Sequence, residues 1–129
     1  IAFSSLKNAL DIWSEVDLNE LREQTIKLSE LFIFEIDKLS SDLELASPRD
    51  PHLRGSQVSY KLDSGYEFMQ SLIEHKLIGD FRAPNLMRFG FNALFLDESD
   101  VLQAVKIINR VFNHKLWKKY NNISRATVT

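Results

Sequence analysis

Apolar positions recur at two different periods along this chain, and the changes of period divide it into elements. Through residues 1–14, Phe3, Leu6, Leu10 and Trp13 fall three or four positions apart, the spacing of one helical stripe. Ile1 already lies inside that pattern with no capping signal ahead of it, which reads as a piece of a larger protein. Asp17 has the character of an N-cap, with Glu20 at the capping-box position. From there Leu18, Leu21, Thr25, Leu28, Phe32, Ile36 and Leu39 step by three or four, and Ile26 and Ile33 widen the stripe. The pattern predicts the longest helix of the chain, ending near Leu39, where Ser40 and Ser41 interrupt it.

The period then falls to two. Leu43 to Ala46 is short and apolar enough for a strand, and Gln57 to Leu62 alternates Val58, Tyr60 and Leu62 with Gln57, Ser59 and Lys61, a half-buried strand. Between them Ser47-Pro48-Arg49-Asp50-Pro51-His52 is a loop, because its two prolines fix the backbone and withhold donors, so the two strands form a hairpin with a long connection. Ser64, with Glu67 at the box position, is expected to cap a helix that buries Tyr66, Met69, Leu72 and Ile73 and ends near Lys76. Ile78 to Arg82 and Leu86 to Phe91 are two further strands joined by the turn Ala83-Pro84-Asn85. Asp97 starts the last helix, with Val101, Val105, Ile108, Phe112 and Leu116 inside, Glu98 and Asp100 in its first turn, and Lys115, Lys118 and Lys119 in its last. Residues 121–129 are polar and expected to be a flexible tail. The order of elements predicts an α+β fold: one domain over 1–129 with a small antiparallel or mixed sheet and helices packed on one face.

Composition narrows the function mainly by exclusion. At 129 residues, 44% hydrophobic and 26% charged, the chain can build one ordinary core. Its net charge of -2 gives no overall pull toward nucleic acid or an anionic membrane. No apolar run approaches the ~20 residues of a membrane span, and no signal-peptide pattern opens the chain. Cysteine is absent, which removes disulfides and thiolate chemistry and fits a cytoplasmic protein. There is no phosphate-binding glycine loop, no dinucleotide fingerprint and no nucleophile elbow. His52, His75 and His114 stand too far apart for a metal site, and His75 and His114 are best read as meeting free carbonyls at helix ends. Trp13 and Trp117 are read as packing residues or interface anchors.

The candidate chemistry lies in the fourth strand. Side chains alternate across a strand, so Met87, Phe89 and Phe91 share an apolar face and Leu86, Arg88 and Gly90 share the other. Arg88 is therefore a planar fork mounted mid-strand with a core behind it, suited to a carboxylate or phosphate; the bland alternative is a solvated arginine. Arg54, which follows the Pro-bounded loop, either touches a substrate at a cleft edge or satisfies loop carbonyls, and the second reading is favoured. Asp80 and Arg82, two apart on one strand face, are read as a lateral ion pair that orients the turn before Arg88.

These same residues carry a family resemblance. "IGDFRAPNLMRFGFN", with the upstream "SPRDPHLRGSQVSY" and "GYEFMQSLIEHK", resembles the C-terminal small domain of kynureninases, pyridoxal-phosphate (PLP) enzymes of the aspartate-aminotransferase-like fold, fold type I. The resemblance runs through most of the chain, and it is the combination of RGSQVS with D-x-R-x-P-x-x-x-R-F-G that makes it specific. It implies a parent enzyme that hydrolyses L-kynurenine or 3-hydroxykynurenine to anthranilate or its 3-hydroxy form and L-alanine. It implies that Arg88 binds the α-carboxylate of this small-molecule amino-acid substrate; on the reading of the residues alone, Arg54 is a weaker candidate for substrate contact and Asp80 and Arg82 stand behind Arg88. The Schiff-base lysine, the acid at the pyridine nitrogen and the phosphate ligands would belong to a large domain of the same chain, so this piece alone is expected neither to bind PLP nor to turn over substrate. The resemblance further implies a homodimer. Two alternatives stay open: the small domain of a class-V aminotransferase or cysteine-desulfurase relative, and a non-catalytic α+β module that binds carboxylates.

Overall fold

The structure is a computed structural model and describes residues 2–121, with side chains from residue 5 onward. Helix α1 spans Ala2–Trp13 and α2 spans Leu18–Asp37. Strand β1 is Glu44–Leu45 and β2 is Gln57–Lys61, with a 3-10 turn at Pro51–Leu53 between them. Helix α3 (Gly65–Glu74) leads to β3 (Asp80–Arg82) and β4 (Leu86–Gly90), and α4 (Glu98–Asn113) is followed by a 3-10 turn at Leu116–Tyr120. The expected tail falls, beyond Asn121, outside the described residues, as does the side chain of Phe3.

The sheet is wholly antiparallel in its pairings, in the order β1-β2-β4-β3. The β1–β2 hairpin forms with Leu45 opposite Tyr60, and the β3–β4 hairpin with Arg82 opposite Leu86, across a turn in which the Ala83–Pro84 peptide is cis. Helix α3 carries the chain from β2 past β4 to the far edge, so β4, last in sequence, lies inside the sheet. Alternation decides what each strand buries. Val58, Tyr60, Phe81, Met87 and Phe89 point into the core, where Phe32 of α2 meets the rings of Phe89 and Phe91 at centroid distances of 5.2 and 5.3 Å. Burial of side chains this large supplies the main driving force for folding.

Helix ends follow side-chain chemistry. Asp17 accepts from the backbone N–H groups of Asn19 and Glu20 at 2.8 and 3.2 Å, and Asp97 forms a complete capping box with Asp100. His75 and His114 cap the C-termini of α3 and α4, each with Nδ1 against a carbonyl of the preceding turn, at 2.7 Å from Ser71 O and 2.9 Å from Arg110 O.

Four expectations need correction. Ser64 makes no side-chain cap bond, so α3 starts without the expected box. Helix α3 buries Phe68 completely and leaves Ile73 38% exposed, because α3 is covered on a second side: Phe68 packs against Phe112 of α4 and Trp117 of the last 3-10 turn at 6.2 and 5.3 Å. Helix α4 stops at Asn113 rather than running through Leu116, since Lys115 adopts a left-handed conformation with φ 51°; Lys118 and Lys119 belong to the turn beyond. The α1 stripe is not buried in this chain, for Leu6, Leu10 and Trp13 are 53, 54 and 42% exposed.

Candidate functional site

Strand β4 is bonded along both edges, to β2 and to β3, which fixes the backbone that carries Arg88. Its Met87 and Phe89 are buried on the helical side, so Arg88 must emerge on the opposite face of the sheet. Register places Ser59 of β2 and Asp80 of β3 directly across from Arg88, in one row on that face. The neighbouring rows are polar or open: Gln57 opposite Gly90, and Lys61 and Arg82 flanking Leu86. A Cβ added at Gly90 would meet nothing within 4 Å, so the sheet surface is open at that position, two residues from Arg88 on the same face.

Arg88 is the half-buried fork that the alternation pattern predicts, with its side chain 28% exposed. Its Nη2 donates to Asp80 Oδ2, and the same oxygen lies 3.2 Å from Arg82 Nε. The lateral Asp80–Arg82 pair therefore forms as expected, but the principal partner of Asp80 is Arg88, across the strands. The Arg88 hydrogen bond, assisted by the charge of Arg82, holds the Asp80 carboxyl below the usual carboxylate range. Arg88 Nε is buried and meets no acceptor among the described residues. Gly79 packs beneath this strand: a Cβ there would lie 3.0 Å from the Arg88 carbonyl oxygen and 2.7 Å from Met69 Cε, so only glycine allows so close an approach.

Arg54 lies outside the Arg88 row, at the end of the Pro-bounded loop. Its side chain is 3% exposed, and it is the single buried residue between Ala46 and Gln57. Its guanidinium donates to the carbonyls of Pro48 and Arg49 at 3.0 and 2.7 Å, to Ser29 Oγ at 3.3 Å and to the Glu30 carboxylate. Arg22 adds bonds from α2 to the carbonyls of Pro51 and Arg54 at 2.6 and 2.8 Å. Together they fasten the Pro-bounded loop to α2, the geometry of the structural reading of Arg54. Arg22, Ser29 and Glu30 did not stand out in the sequence, although Thr25 and Ser29, two polar residues inside an otherwise apolar stripe, mark the side of α2 that receives the loop. Ser59, also unforeseen, is buried on the arginine face; its backbone N–H donates to Ser47 Oγ at 2.9 Å, which ties the same loop to the row containing Arg88.

On the other side of β4, Phe32, Phe89, Phe91, Leu96 and Val101 line an apolar cleft of about 310 Å³, separate from the arginine row. Among the described residues no group of three or more histidine or acidic side chains is placed to hold a metal, and no helix is long and apolar enough to cross a membrane. All the lysines are exposed. A Schiff-base lysine works from a desolvated pocket, so these side chains do not fit covalent attachment of PLP.

The kynureninase C-terminal domain model matches residues 21–108, a span that holds Arg54, Asp80, Arg82 and Arg88. A kynureninase of Burkholderia mallei (strain SAVP1) is 33% identical over 131 residues, which covers 100% of this chain and 32% of that protein. A kynureninase of Pseudomonas fluorescens is 35% identical over 122 residues, 93% of this chain and 29% of that protein. The chain thus spans about a third of the length of the curated relatives it matches. With its α+β layer and the arginine-bearing strand inside the match, the chain belongs to the kynureninase C-terminal domain family.

Proposed function

We propose that this domain supplies the carboxylate-binding arginine, Arg88, of a PLP-dependent kynureninase. The parent hydrolyses the Cβ–Cγ bond of L-kynurenine or 3-hydroxykynurenine to give anthranilate or 3-hydroxyanthranilate and L-alanine, a step of tryptophan catabolism on the way to NAD. It works as a cytoplasmic homodimer. The observation that carries the reading is the placement of Arg88: a half-exposed fork on an inner strand of an open sheet face, inside the span that matches the family.

PLP supplies the electron sink for this chemistry, and its anchoring groups belong to the remainder of the parent. The task of this domain is position. A guanidinium presents paired N–H donors in the geometry of a carboxylate. Gripping the α-carboxylate fixes the rotation of the amino acid about Cα, and orientation of this kind is worth several kcal/mol of barrier. The core side chains Met87 and Phe89 hold the arginine's backbone while its head engages the ligand.

The test is on the full-length protein loaded with PLP, following anthranilate fluorescence after addition of L-kynurenine. Arg88→Ala is expected to lower kcat/KM by two orders of magnitude or more, roughly the loss of a bidentate charged contact, while the absorbance of bound PLP remains. Loss of PLP in that variant, or unchanged turnover, would sink the assignment of Arg88. PLP binding by the wild type without anthranilate formation would remove the substrate and leave the carboxylate site.

A further inference from the structure

The row on the open face contains more than one arginine's worth of design. A single oxygen, Asp80 Oδ2, accepts from Arg88 Nη2 and lies 3.2 Å from Arg82 Nε. Two guanidinium charges against one carboxylate leave the cluster positive, whereas an Arg88–Asp80 pair alone would be neutral and attract an anion only weakly. The hydrogen bond to Asp80 occupies Nη2 of the Arg88 fork, while the buried Nε meets no acceptor among the described residues. Asp80 reaches Arg88 from directly across the strand pair, so the pull is lateral, along the sheet, and leaves the approach from above the sheet clear beside Gly90.

We infer that Asp80 is the positioning residue for Arg88, holding the guanidinium in the orientation that receives a substrate carboxylate while Arg82 keeps the cluster positive. The inference rests on the reading of Arg88 as the carboxylate-binding residue. An arginine side chain has many rotamers, and one that is not held must be ordered each time a ligand arrives. Asp80 does that ordering beforehand. Its carboxyl, kept below the usual range, remains charged throughout the neutral pH region. The pair is partly exposed, with Asp80 43% accessible, so it adds little to the stability of the fold and its removal should leave the domain folded.

A role confined to structure would affect all substrates alike, and this separates the alternatives. The experiment compares full-length wild type, Asp80→Ala, Asp80→Asn and Arg88→Ala, each with L-kynurenine and with its carboxamide analogue, and measures inhibition by L-alanine. Asp80→Ala is expected to raise KM for L-kynurenine and the inhibition constant of L-alanine about tenfold, as for loss of a pre-set charged contact, with little change for the carboxamide. Asp80→Asn keeps a carbonyl oxygen for Arg88 and should fall between Asp80→Ala and wild type. If the preference for acid over amide stays within about twofold of wild type in both Asp80 variants while Arg88→Ala abolishes it, Asp80 does not position the arginine and the reading of Arg88 survives. If Arg88→Ala itself leaves that preference intact, both readings fail. If Asp80→Ala lowers the melting temperature markedly, the Asp80→Asn comparison carries the decision by the same criterion.

Discussion

Arg54→Met separates two roles for a buried arginine. The methionine keeps most of the apolar stem, so the packing against α2 is retained and only the polar head is lost. That head donates to the Pro48 and Arg49 carbonyls at 3.0 and 2.7 Å and to Glu30. A hydrogen bond from a charged donor contributes roughly 1.5–3 kcal/mol, so the two carbonyls together stand for ~3–6 kcal/mol. Glu30 is 45% exposed and regains water, so it adds little. Water also reaches the loop carbonyls once they are released, which brings the expected cost to the lower end, about 3 kcal/mol. Because Arg54 is the only buried residue of this stretch, the cost should appear as local opening rather than global unfolding. Hydrogen exchange of the full-length protein reads it directly. The Leu53 amide, bonded to the Asp50 carbonyl at 3.1 Å, should exchange roughly a hundredfold faster, at about 1.4 kcal/mol per decade, while Tyr60 in β2 keeps its protection. Unchanged protection of the loop together with lost turnover would refute the argument and assign Arg54 to substrate contact instead.

Two further outcomes are expected. Phe32→Ala removes the ring shared by Phe89 and Phe91 and enlarges the adjoining apolar cleft, so it should destabilise the domain by about 3–5 kcal/mol in urea titration followed by tryptophan fluorescence; a loss under about 1.5 kcal/mol would mean the core collapses into the gap. Asp80 has a lowered folded-state pKa, so its contribution to stability is present above the unfolded value of about 3.9 and is lost as pH falls through the folded value. Carboxyl-carbon NMR titration should find it below the normal range and returning toward that range in Arg88→Ala, and an unchanged titration would exclude Arg88 as the main cause.

How much was legible in the sequence varies by element. The facing of Arg88 could be read directly, because Met87, Phe89 and Phe91 alternate with it and only one side of the strand can enter a core. The partner of Asp80 was harder. Spacing along one strand points to Arg82, and Arg88 comes into view only when the hairpin is folded about Pro84, which sets Asp80 and Arg88 at equal distances from the turn. The second buried face of α3 was hidden for another reason. Phe68 is covered by Phe112 and Trp117, far away in the chain, so its burial belongs to the tertiary arrangement and not to the local period. The end of α4 carried no local signal, since the left-handed residue is Lys115 where glycine or asparagine would have announced the stop. The loop latch was invisible because Arg54 and its helix partners are separated by more than twenty residues.

The strand order has a mechanical consequence. Arg88 stands on β4, which is hydrogen-bonded along both edges, whereas Asp80 stands on β3, a three-residue strand at the rim that pairs along one edge among the described residues. The two halves of this contact therefore differ in compliance: the cation is a fixed post, and its tether is mounted on the part of the sheet most able to yield. Any strain arriving at the rim, from the Ala83–Asn85 turn or from a neighbouring domain, would alter the angle of the guanidinium head before it displaced the post, which under the proposed reading of Arg88 is a change of grip without a change of location.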